Sequence, residues 1–107
     1  DWTYTYYVAR IYNELGDNER FDRYAKAVED KLQEMISSGR TESSDASTNP
    51  YVVLSEIYGM RKDYAKAIDM LNTLAVQYPN TPWIKNQIDT YDKLKKGGTG
   101  TDSAKIQ

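Results

Sequence analysis

The chain contains neither cysteine nor histidine. The first absence removes disulfides, thiolate metal ligands and thiol nucleophiles together, and leaves the redox compartment unmarked. The second removes the side chain whose ordinary pKa lies near neutrality and which most often binds metals. Chemistry here would fall to carboxylates, lysines, tyrosines and hydroxyls alone, so we expect no enzyme, no metal and no cofactor. Long apolar runs are missing too. None approaches the ~18–20 residues that cross a membrane, and no charged-then-apolar leader opens the chain, so direct membrane insertion is not expected. There is no excess of basic charge: 14 Lys and Arg face 16 Asp and Glu, for a net charge of −2. Nucleic acid is therefore not an expected partner, because its backbone calls for a concentrated basic face.

What is present is tyrosine, 10 in 107 residues. A tyrosine buries a large ring and keeps a polar tip near water, which suits thin helical layers. The length fits one domain able to bury one modest core. Asp1 rather than methionine stands first, which points to a piece of a longer parent.

Apolar residues recur at steps of three and four. Tyr4, Tyr7, Val8, Ile11, Tyr12 and Leu15 trace one face of a first helix, and Gly16-Asp17 supplies a stop followed by a cap. Phe21, Tyr24, Ala25, Val28, Leu32, Met35 and Ile36 trace a second helix. The stretch from Ser38 to Thr48 has no apolar period and predicts a mobile loop. Asn49-Pro50 restarts helix, with Val53, Leu54, Ile57, Tyr58 and Met60 inward. Asp63 caps a fourth helix bearing Tyr64, Ala67, Ile68, Leu71, Leu74, Ala75 and Tyr78. Thr81-Pro82 opens a fifth with Trp83, Ile84, Ile88, Tyr91 and Leu94. The spacing predicts helices over about 3–15, 18–37, 50–61, 64–78 and 82–96, with a flexible tail over 97–107.

A shift of 46 residues superposes Val8 on Leu54, Ala9 on Ser55, Ile11 on Ile57, Tyr12 on Tyr58 and Asp17 on Asp63. This pattern resembles the tetratricopeptide repeat. In the better copy, Thr48 to Thr81, the places of the family's motif fall on Tyr51, Leu54-Ser55, Tyr58, Ala67 and Pro79. The first copy is degenerate: Phe21 stands where the family has alanine and Gln33 where it has proline, and about 12 residues exceed the usual period of 34. In the fifth helix Asp89 and Asp92 replace the small residue and the tyrosine, as in a polar capping helix. The resemblance implies an all-α domain over residues 1–96, with antiparallel hairpins stacked as a short right-handed superhelix of about five helices.

The same resemblance implies a groove lined by the first helix of each pair: Tyr6, Arg10 and Asn13, then Val52, Glu56 and Gly59, with Trp83 and Asn86 from the capping helix. The lysine and asparagine clamp of the chaperone-tail-binding members is missing, since those places hold Tyr6, Arg10, Val52 and Glu56. The expected role is a non-catalytic docking module for a protein or peptide, or for the rest of the parent chain. The alternatives are solvated groove walls on a structural spacer, and a soluble tail of a larger bacterial membrane protein related to protein mannosyltransferases. The Tyr78-Pro79-Asn80-Thr81-Pro82-Trp83 joint is similar to linkers of envelope-associated bacterial repeat proteins, which implies the periplasm or cell envelope. Paired carboxylates at Glu29-Asp30 and Asp89…Asp92 lack a third ligand and read as wet helix surface.

Overall fold

The computed structural model describes residues 1–41 and 48–97, so the centre of the expected loop and most of the expected tail lie outside the described residues. Five α-helices and no strand occur among the described residues: α1 (Trp2–Glu14), α2 (Asn18–Ser37), α3 (Pro50–Met60), α4 (Tyr64–Gln77) and α5 (Pro82–Lys95). The chain divides into two compact units. The first is Asp1–Pro50, with α1 and α2; the second starts at Tyr51 and holds α3, α4 and α5.

Both hairpins turn in the same way. Gly16 sits at φ +75 and Lys62 at φ +64, the left-handed geometry that ends a helix. The Gly16 N–H donates to the Asn13 carbonyl and the Asp17 N–H to Tyr12; the Lys62 N–H donates to Gly59 and the Asp63 N–H to Tyr58. Each aspartate then opens the next helix, its carboxylate accepting from the backbone N–H of Arg20 or Lys66. One residue thus closes a helix with its N–H and starts another with its side chain. A cation from the second helix also lies over the tyrosine of the first: Arg20 is 5.7 Å from the Tyr12 ring and Lys66 5.6 Å from that of Tyr58. The 46-residue shift therefore holds in three dimensions at the turns.

In the first unit α2 buries Phe21, Ala25, Val28 and Leu32, a regular stripe worth about 1.5–3 kcal/mol for each of the larger aliphatic side chains. Just past its end stands Gly39, whose φ of +78 lets the Arg40 N–H reach back to the Met35 carbonyl. The stripe predicted for α1 is inward only in part: Val8 and Tyr12 are half-buried, and the Tyr12 ring stacks on Tyr24 of α2. Tyr4, Tyr7, Ile11 and Leu15 are 74%, 54%, 57% and 72% exposed, whereas Tyr6 and Ala9 are buried. The reason is that α1 has apolar residues on both sides, and the side that is buried centres on Tyr6 and the small Ala9.

The second unit buries Val52, Val53, Leu54, Ser55, Ile57 and Tyr58 of α3, with Ala67, Leu71 and Leu74 of α4 and Ile84 and Tyr91 of α5. Ser55 and Ala67, the small residues of the repeat pattern, are both enclosed. Tyr78 is exposed rather than inward, because α4 stops at Gln77 and Tyr78 takes a non-helical conformation. Thr81 makes no side-chain cap to α5, contrary to expectation; Pro82 alone marks the start. Asn49 is buried and donates from Nδ2 to the Thr41 carbonyl at 3.2 Å.

Candidate functional site

The eight candidate groove residues fall into two groups. On α1, Arg10 is exposed and its guanidinium lies 5.8 Å from the Tyr6 ring and 5.9 Å from that of Tyr7. The two rings are themselves tilted neighbours at 5.7 Å. Tyr6 is buried, so it supports Arg10 and offers a partner almost no area of its own, a correction to its place on an open groove wall. Asn13 is half-buried.

In the second unit Val52, Glu56 and Trp83 come together. With Ser55, Leu71 and Gln87 they line a partly open pocket of about 160 Å³. Val52 belongs to its floor and is buried, again unlike an open wall. Trp83, expected both inward and in the groove, is 43% exposed at the pocket. Its neighbours follow from helical spacing: Trp83 and Gln87 are four apart on α5, and Val52, Ser55 and Glu56 share one face of α3. Asn86 is exposed and does not line the pocket. Sequence reasoning missed Gln87 and Leu71; the step of four from Trp83 was the signal for the first.

Also on α5, and buried, is Tyr91, whose ring is stacked with Tyr64 at 5.9 Å. Burial pushes the Tyr91 hydroxyl above the ordinary tyrosine range, helped by the nearby Glu56 and Tyr64 and opposed by a hydrogen bond from Gln87. Tyr91 also fills the gap left by Gly59, where a Cβ would stand 2.6 Å from the tyrosine oxygen.

A wider hollow of about 310 Å³ lies on the first unit between Asp1, Trp2 and Thr5 of one segment and Ala27, Val28 and Lys31 of α2. Among the described residues no three carboxylates gather as a metal site would require, and Asp92 pairs with Lys96 at 2.9 Å. No helix among them is long and apolar enough to cross a membrane. The remaining ion pairs, Lys26 with Asp30 and Glu34 with Lys31 and Arg40 among them, are exposed. Lys31 first, and then Arg40, holds the Glu34 carboxyl below its usual range. No family model, curated protein or solved structure matches the chain.

Proposed function

We propose that this chain is a non-catalytic docking module, and that a protein partner, or another part of a longer parent chain, covers the outer face of α1. One observation carries the reading: Tyr4, Tyr7, Ile11 and Leu15 form a continuous apolar face, each more than half exposed. Together they present roughly 500 Å² of mostly apolar surface, near the upper end for patches on monomers, and such patches commonly mark interaction sites. The spacing of three, four and four is that of a helix offered to another helix. Arg10 flanks the face and adds a directed cation. A helix lying in that seam would bury the two tyrosine rings at low entropic cost.

The test replaces Ile11 and Leu15 together by aspartate. Since both are exposed, circular dichroism and the melting temperature should hold, while capture of the partner from native extract should fall tenfold or more. Equal capture by the variant would sink the α1 reading, and failure of both proteins to retain anything would favour a spacer.

A further inference from the structure

The outer face of α1 changes character along its length. Its N-terminal half is aromatic, with Tyr4 and Tyr7, and its C-terminal half is aliphatic, with Ile11 and Leu15; all four are exposed. The two charged side chains of the helix, Arg10 and Glu14, are exposed as well and stand one turn apart along one edge of that face. Their spacing of four would allow an ion pair within the helix. None forms. Arg10 leans back over the Tyr6 and Tyr7 rings instead. Among the described residues neither Arg10 nor Glu14 has an ion-pair partner.

A second copy of the chain matches both features. A two-fold axis through the middle of the face, level with Ala9 and Arg10, sets two α1 helices antiparallel. Tyr4 then meets Leu15 of the second copy, and Tyr7 meets Ile11, so each ring packs on an aliphatic side chain. Such an axis also brings each edge against its own counterpart, so the edge with Arg10 and Glu14 meets itself. Arg10 stands about 8 Å along the axis from Glu14 of the second copy. Long helical side chains lean toward their own N-terminus, as Arg10 does, and the copies run in opposite directions, so these two lean toward each other. A parallel pair would instead set Arg10 and Glu14 against Val8 and Tyr12, neither of them charged. Two copies of the face would bury roughly 1,000 Å² in all, about the least that a specific interface needs. We propose that the occupant of the docking face is α1 of a second copy, antiparallel and flanked by two reciprocal Arg10–Glu14 pairs, a proposal that rests on the docking reading of α1. The apolar seam supplies the affinity, and the charged edge fixes direction and register.

The test is the mass of the full chain in sedimentation equilibrium. The expected result is a monomer–dimer equilibrium with a dissociation constant of about 10–100 μM, as suits so small an interface. The Ile11→Asp, Leu15→Asp variant should be monomeric. Arg10→Glu and Glu14→Arg each set like charges against one another across the pair, so each should weaken association tenfold or more with an unchanged helical spectrum. An equimolar mixture of these two variants restores both opposite-charge contacts and should associate as the parent does, and so should the double variant Arg10→Glu, Glu14→Arg. A monomer up to about 1 mM, or a mixture no tighter than either variant alone, would overturn the antiparallel pair. A monomeric parent whose Ile11→Asp, Leu15→Asp variant still loses capture from extract would overturn self-pairing alone and leave the docking reading standing. A dimer that survives Ile11→Asp, Leu15→Asp, with capture unaffected, would sink both.

Discussion

Ile11 and Ile57 hold the same place in the two hairpins, yet the first is 57% exposed and the second is fully buried. The pair at Tyr7 and Val53 differs in the same way. The turns that follow are alike in hydrogen bonding, in left-handed geometry, in the aspartate cap and in the cation over tyrosine. Local structure therefore does not decide which face of the first helix is covered; the number of neighbours does. Within its unit α1 has α2, which takes one side of it. In the other unit α3 meets α4 through Tyr58 and Lys66 and α5 through Gly59 and Tyr91. Two neighbours leave little of its surface wet, which is why α3 tolerates Val52 to Ser55 as an unbroken buried run.

The sharpest way to break this comparison is to shorten the same residue twice. Ile57→Ala should cost about 2–5 kcal/mol in urea unfolding, through lost transfer energy and the cavity left behind. Ile11→Ala should stay within about 0.5 kcal/mol, as exposed sites do. Equal losses would show that α1 is covered after all. Gly59→Ala comes next, at about 1–3 kcal/mol, because the new methyl group runs into Tyr91. Pairing it with Tyr91→Leu should recover part of that loss, a coupling that a double-mutant cycle reads directly. The counterpart change Asn13→Ala should be milder, since it shortens a half-buried side chain instead of adding a methyl group to a filled gap.

The turns allow a finer test, with opposite signs. Gly16 has open space around its missing side chain, so Gly16→Ala should cost about 1–2 kcal/mol from backbone geometry alone. Lys62→Gly relieves the same geometry and gives back unfolded-chain entropy, so thermal melts should show no loss and at most about 1 kcal/mol of gain. The smallest effect concerns pH. The Tyr91 hydroxyl titrates higher in the folded chain than in the unfolded one. Its contribution is then complete below the unfolded value near 10 and is lost as pH rises through the folded value. Tyr91→Phe should flatten that part of the alkaline decline in melting temperature; an unchanged slope would show that other groups carry it.

The helix boundaries were legible because capping chemistry is local: Asp17, Asp63, Pro82 and the Gly16 stop act within a few residues of where they stand. So were the buried stripes of α2 and α4, whose polar faces leave one choice of side. The side of α1 was not legible. Periodicity found its apolar stripe but not its neighbour, and the small Ala9, at the centre of the buried side, weighs little in a count of large residues. Half of the candidate site shared this fate. Glu56, Val52 and Trp83 do meet, yet Val52 does so as buried floor, and Tyr6 reaches the surface only through Arg10. Leu71 belongs to the pocket through tertiary packing, which no spacing along one helix could have revealed.

The gap at Gly59 has a consequence beyond packing energy. A tyrosine ring seated where one helix has no side chain acts as a keyway, fixing both the axial position and the rotation of α5 on α3. Sliding by one helical turn, about 5.4 Å, would bring Tyr91 against the side chain of Ser55 in one direction and beyond the end of α3, at Asp63, in the other. Rotation would lift the ring out of the gap and remove its closest contacts. Trp83 and Gln87 stand on the same rigid α5, and Glu56 on α3, so the relative placement of those three side chains is set by a residue that has none.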